Sequence, residues 1–309
     1  RTPVRCGSKT NWAAQGERPR RRYRFHKFVN AKSGDTSFDV KKPVITRFAP
    51  SPTGPLHLGH AFSAWLSWRL APAGFLVRLE DIDRQRCRPD YAAAILQDLA
   101  WLGLTSAWPV RVQSAHFDEY RAVLARLAAF TYPCACSRAQ ISLAAPHGAP
   151  ARYPGTCRAL PPAARAAILA SGRPYALRLD AALAQRAAGR LRYHEHAAGW
   201  TEIDPGAIDD AILARRDTPA SYHLCVVHDD ALQGVTHVVR GEDLRDSTPL
   251  HVLLQSLLGF ETPHYRHHRL LHGADGRRLA KRDRAASLAD MRAAGVTPAE
   301  ILRGFEGLE

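Results

Sequence analysis

From residue 43 onward, apolar positions recur at two different periods. Val44 to Ala49 is a β-branched and apolar run that predicts a strand, and Pro50 to Gly54 predicts a turn after it. Between Leu56 and Leu70, the residues Leu58, Phe62, Trp65, Leu66 and Leu70 keep helical spacing. Phe75 to Leu79 predicts a second strand. Helices follow from a cap at Asp90 to Leu102 and over His116 to Ala129. This alternation of strand and helix predicts an α/β fold with a parallel sheet and crossover helices.

The pattern breaks from Thr131 to Trp200, which reads as an insertion with Ala/Arg-rich helical segments and a short strand over Tyr175–Leu179. Strand-like runs return at Leu224–His228 and Val235–Arg240, with a helix over Thr248–Leu258. A basic loop, Gly276 to Arg282, precedes two short helical patterns. The connection from Trp68 to Phe75 is short, and Pro72 predicts an early helix end. The expected division is a basic leader over 1–42, two halves of a catalytic unit over 43–130 and 201–272, the insertion over 131–200, and a C-terminal segment over 273–309.

Charge sharpens this division. The chain has 309 residues and a formal net charge of +14. Residues 1–42 hold 12 Lys/Arg against 3 Asp/Glu, so much of the excess sits in the leader. That leader lacks periodicity and reads as a disordered or non-native extension, or as a basic RNA-binding arm. The body is mildly basic, which is compatible with a polyanionic partner such as RNA. No apolar run is long enough to span a membrane, and no secretory signal is visible. Six scattered cysteines do not form a secreted disulfide framework; a cytoplasmic compartment is expected, and clustered cysteines become metal candidates.

Two segments point to phosphate chemistry. In Pro50 to His60, three prolines stiffen a loop, and Gly54 and Gly59 permit close approach to the backbone. His57 and His60 share a helical face at a helix N-terminus, where imidazoles and the dipole can hold phosphate. A pair of polar histidines at a helix start is the plainer reading. Downstream, Arg277, Arg278, Lys281 and Arg282 form either a solvated charge run or a loop that closes on phosphates. Cys134, Cys136 and Cys157 supply three thiols. With Tyr153 or His147 as a fourth donor they would suit a tetrahedral zinc ion; otherwise they are three unpaired thiols.

These segments resemble the class I aminoacyl-tRNA synthetases. His57-Leu58-Gly59-His60 looks like their HIGH motif. Arg278-Leu279-Ala280-Lys281-Arg282 looks like a degenerate KMSKS motif, with arginine for its first lysine and alanine for its serine. Arg47 to Gly54, Val77 to Asp83 and Val239 to Leu244 are similar to the glutamyl branch, and the resemblance covers about residues 44–305.

The resemblance implies a Rossmann-like catalytic domain carrying a zinc-bearing insertion and a short C-terminal helical segment. It implies His57, Gly59, His60 and Lys281 at ATP with Mg²⁺, of which His57, His60 and Lys281 would be catalytic. It places Arg47, Phe48, Ala49, Pro50, Ser51, Glu80, Tyr222 and Arg240 around L-glutamate. Guanidinium forks suit the carboxylates, and Glu80 suits the ammonium.

Only 27 residues follow Arg282, and Cys134-x-Cys136 is joined by Tyr153-x-x-x-Cys157. Both features resemble the glutamyl-Q tRNA(Asp) synthetases, the truncated paralogues that transfer glutamate to queuosine in the tRNA(Asp) anticodon. A structural zinc held by Cys134, Cys136, Tyr153 and Cys157, and a monomeric state, are then expected. A catalytic fragment of an ordinary glutamyl-tRNA synthetase and a non-catalytic zinc-containing RNA-binding paralogue are the alternatives.

Overall fold

The computed structural model describes residues 43–143, 153–216, 218–271 and 286–308. In chain order the elements are β1 (Thr46–Phe48), α1 (Leu58–Leu70), β2 (Phe75–Leu79), α2 (Pro89–Trp101), β3 (Arg111–Val112), α3 (Phe117–Arg126) and β4 (Thr131–Cys134). Then come α4 (Arg138–Leu143), α5 (Pro162–Ala170), β5 (Ala176–Leu179), α6 (Ala181–Ala188), β6 (Arg192–Glu195), β7 (Gly199–Glu202) and β8 (Ile212–Arg215). The chain continues through α7 (Tyr222–Leu232), β9 (His237–Gly241), α8 (Thr248–Leu258), β10 (His264–His268), α9 (Leu288–Ala293) and α10 (Pro298–Arg303).

β1, β2 and β3 form a parallel sheet in that order, and β9, β10 and β6 form a second parallel run with β7 antiparallel at its edge. Thr236 and His237 both donate backbone hydrogen bonds to the Ile45 carbonyl, at 3.0 and 3.1 Å, which brings the start of β9 against β1. β1 therefore lies between β2, reached through α1, and β9, reached much later. Such a reversal of strand order opens a crevice at the carboxyl ends of the strands, where α/β proteins bind ligands.

Both faces of the sheet are covered, which explains why β2 is buried at every position. Phe75, Val77 and Leu79 join one core with Phe62, Trp65 and Leu66 of α1 and with Leu288, Ile301 and Phe305 near the C-terminus. Leu76 turns the other way, toward Val238 and Val252. A further core joins α3, α6, α7 and α8 through Tyr120, Ala184, Leu224 and Leu253.

The parallel α/β sheet matches the expected fold class, with local corrections. Leu224 to His228 is not a strand but the middle of α7, capped by Ser221. Leu224, Cys225, Val226 and Val227 are all buried, so no polar stripe marks the helical period, and a short apolar run of this kind reads equally as strand. Asp90 is not a cap; Arg88 occupies that position, with Pro89 opening the helix and Asp90 in its first turn. α1 ends at Leu70, and Pro72 opens a single 3₁₀ turn. In that turn a Cβ on Gly74 would meet the Val44 carbonyl oxygen at 2.2 Å, so only glycine fits. The small antiparallel sheet β4-β5-β8 runs past residue 200 as far as Arg215, while β6 and β7 pair with the main sheet.

Candidate active site

The loop after β1 shapes one wall of the crevice. His57 is the N-cap of α1: its Nδ1 accepts from the Gly59 amide at 3.1 Å, and its own amide donates to His60 Nδ1 at 3.2 Å. In each ring Nδ1 is an acceptor, so in the neutral imidazole the proton sits on Nε2. The rings lie 3.8 Å apart, centroid to centroid. Two N–H donors are thus presented beside the positive end of a helix dipole, an arrangement suited to phosphate oxygens.

A cavity of about 380 Å³ opens here. Arg47, Phe48, Ala49, Pro50, Ser51, His57, Gly59, His60, Glu80, Tyr222 and Arg240 all line it. Those eleven residues span nearly 200 positions of chain and meet because β1, β2 and β9 end side by side. Tyr222 enters from the first turn of α7 rather than from a strand. Lys281 and its basic neighbours lie outside the described residues. The chain on either side reaches the cavity, through Leu271 on its lining and Ser287 bridged to His57.

Buried partners hold the two arginines. Arg47 Nε donates to both oxygens of Asp230 at 3.1 and 3.3 Å, and one Nη donates to the Val239 carbonyl at 3.2 Å. Arg240 donates from Nε to His267 Nε2 (3.1 Å), from Nη1 to His251 Nδ1 (3.0 Å) and from Nη2 to Thr248 Oγ1 (2.6 Å). A guanidinium has five N–H donors, so two remain on Arg240 for a carboxylate. His267 is itself fixed by Glu195, 2.6 Å from its Nδ1.

Beneath the cavity lies a charge network in which the sequence had assigned a role only to Arg47 and Glu80. Arg78, fully buried on β2, donates to Asp230 at 2.8 Å and pairs with Glu80 at 3.4 Å and Asp229 at 3.8 Å. Burial opposes its charge, but the three carboxylates outweigh burial and raise its pKa. Burial alone would raise Asp230, yet Arg47 and Arg78 hold it below its ordinary range. Glu80 behaves differently: burial pushes it up to about 7 against the pull of Arg78 and Arg47. Asp229, the residue before Asp230, is a second hub, accepting from Arg111, Gln113 and Tyr120 at 2.9 Å each. The sequence signal for this network was available: an arginine inside an apolar strand, and two adjacent aspartates in an apolar run.

A second cavity, of about 1110 Å³, adjoins the first and shares Ser51, Thr53, Glu80 and Tyr222 with it. Arg84, Arg86, Arg121, Arg178 and Arg215 lie on its lining.

The cysteine cluster is separate. The sulfurs of Cys134, Cys136 and Cys157 lie within 4.8 Å of one another, and those of Cys136 and Cys157 are 3.5 Å apart. Tetrahedral zinc with bonds of about 2.3 Å needs sulfurs roughly 3.8 Å apart, so the cluster fits. The Tyr153 hydroxyl is 3.4 Å from Cys134 Sγ and accepts the Cys157 amide at 2.8 Å. Burial, the adjacent Cys157 thiol and Cys134 push Cys136 up to about 12, so a full set of thiolates here calls for a cation. His147 lies outside the described residues.

Residues 43–308 match the family described as tRNA synthetases class I (E and Q), catalytic domain. The chain belongs to this family. The synthetase is therefore a ligase that uses ATP with Mg²⁺, and its three-cysteine cluster is able to hold zinc. It is similar to the glutamyl-Q tRNA(Asp) synthetase of Rhodobacter capsulatus, with 48% identity over 285 residues, 84% of this chain and 99% of that protein. A protein of the same name from Nocardia farcinica shares 44% identity over 279 residues, 85% of each chain. Among solved structures, a glutamate-tRNA synthetase from Elizabethkingia anophelis aligns with a TM-score of 0.68 and 27% identity, over 78% of this synthetase and 53% of that chain. The synthetase thus spans about half the length of that structure. Among the described residues, no helix is long and apolar enough to cross a membrane.

Proposed function

We propose that this synthetase activates L-glutamate with ATP to glutamyl-adenylate and transfers the glutamyl group to queuosine in the anticodon of tRNA(Asp). The carrying observation is the convergence of Arg47, Glu80, Tyr222 and Arg240 in one cavity whose rim holds His57 and His60. Arg47 and Arg240, with donors still available, take the two carboxylates of glutamate, and ionised Glu80 takes the ammonium. The substrate carboxylate attacks the α-phosphate and pyrophosphate leaves. Nε2–H of His57 and His60 donates to the phosphate oxygens, Gly59 lets them approach, and Lys281 neutralises the departing charge. Phe48, Ala49, Pro50 and Ser51 line the amino-acid side of the cavity.

The acceptor hydroxyl then attacks the adenylate carbonyl carbon and AMP leaves. The adjoining cavity, with its five arginines, suits an anionic nucleic acid that must reach that carbonyl. The relatives' names support queuosine of tRNA(Asp) as the acceptor. Cys134, Cys136, Cys157 and Tyr153 would hold zinc, which supplies cross-linking of the insertion and no chemistry. The enzyme acts as a cytoplasmic monomer.

The test is pyrophosphate exchange followed by acceptor mapping. Exchange should depend on glutamate and proceed without tRNA. Labelled glutamate should then appear on tRNA(Asp) bearing queuosine and not on tRNA(Asp) lacking it. Charging of tRNA(Glu) at its 3′ end would overturn this reading.

A further inference from the structure

Two imidazoles, buried His251 and half-buried His223, connect the cavities. Arg240, in the first, lies 3.0 Å from His251 Nδ1. His251 Nε2 lies 3.0 Å from His223 Nδ1, and His223 lines the second cavity. An arginine can only donate, so His251 Nδ1 must accept. A neutral imidazole that accepts at Nδ1 carries its proton on Nε2, so His251 donates to His223. The same rule applied again places the His223 proton on Nε2. Burial and the nearby Arg240 charge hold both rings neutral, with His223 pushed down to about 4 and His251 well below its usual range. Among the described residues no protein group pairs with His223 Nε2, and that atom is not buried.

We propose that His223 is the hydrogen-bond donor with which the second cavity holds its acceptor nucleoside, and that Arg240 sets its tautomer through His251. This rests on the two-cavity reading above. The ligand group must be an acceptor: a ring carbonyl, an imine nitrogen or a hydroxyl oxygen. The same geometry removes His223 as a general base, since Nδ1 is already engaged and Nε2 carries the proton. His251 is a positioning residue, acting on the second cavity through His223 while holding the fork of Arg240.

The tautomer can be read directly in the wild-type enzyme. Spectra of protein labelled with ¹⁵N-histidine should show both His251 and His223 neutral with the proton on Nε2. A His223 protonated on Nδ1 overturns the relay. The kinetic arm uses His223→Phe and His223→Gln. The phenylalanine variant should lower glutamyl transfer to tRNA about 10-fold more than it lowers glutamate-dependent exchange, the size of one lost hydrogen bond. Its effect should fall on the KM for tRNA, and His223→Gln, which keeps an N–H donor, should recover part of it. Equal losses in both steps, or no loss in transfer, count against the donor role. If wild-type enzyme charges a 3′ end instead of queuosine, the functional reading fails while the tautomer result stands. If queuosine is the acceptor and the tautomer is wrong, only the relay fails.

Discussion

The first cavity and the cysteine cluster gather their functional groups by opposite means. The cysteines and Tyr153 lie within 24 residues of chain and mainly meet one another, with Arg178 over the Tyr153 ring as a more distant partner. The cavity arginines depend on remote partners: Arg47 and Asp230 are 183 residues apart, and Arg240 reaches His267 on another strand. A local cluster can be closed by one ion; a dispersed one needs the whole sheet to be correct. Damage to the first should stay local, and damage to the second should spread.

The sharpest break is Asp230→Ala. It leaves Arg47 and Arg78 buried without their shared carboxylate, so a loss of about 3–5 kcal/mol in unfolding free energy is expected, along with glutamate-dependent exchange. Denaturant titration of the variant checks this, and near-normal stability would refute the dispersed-network view. Arg240→Lys comes next. It keeps the charge but loses the fork that meets His267, His251 and Thr248 together. One to two charge-assisted hydrogen bonds correspond to about 10- to 100-fold in kcat/KM for glutamate, with the fold intact by circular dichroism.

Cys136→Ser tests the other side of the comparison. It should abolish zinc stoichiometry in metal analysis and lower the thermal midpoint, while leaving the KM for glutamate nearly unchanged. A large change in that KM would show that the two regions are coupled.

The smallest expected effect is on pH. Glu80 is ionised only above about 7, so the KM for glutamate should fall as pH rises through 7, and Glu80→Gln should raise KM and flatten the profile. The sign for stability is the reverse. The folded protein holds this proton more tightly than the unfolded chain, so Glu80 contributes stability at low pH that is lost as pH rises from 4.5 through about 7. Bound glutamate should restore part of that loss, which a thermal-shift series across pH would register.

Much of the architecture is legible because it is local. The turn from Pro50 to His60, the strand Phe75–Leu79 and the helix Thr248–Leu258 follow from periodicity and turn chemistry over a few residues. The adjacent cysteines likewise declare a cluster by spacing. α7 was not legible as a helix, because its four consecutive buried apolar residues, Leu224 to Val227, show no helical period. The roles of Asp230, His251 and Thr248 were not legible either, since each acts on an arginine from a different strand or helix.

By itself, then, the amino-acid sequence determined which chemical groups are present and which short segments turn, extend or coil, because those preferences are settled within a few residues. The side-by-side ending of β1, β2 and β9, the buried charges under Glu80, and the imidazole chain from Arg240 to the second cavity were decided only by the tertiary structure. Sheet order and burial set those distances and protonation states, and neither is a property of a local stretch of chain.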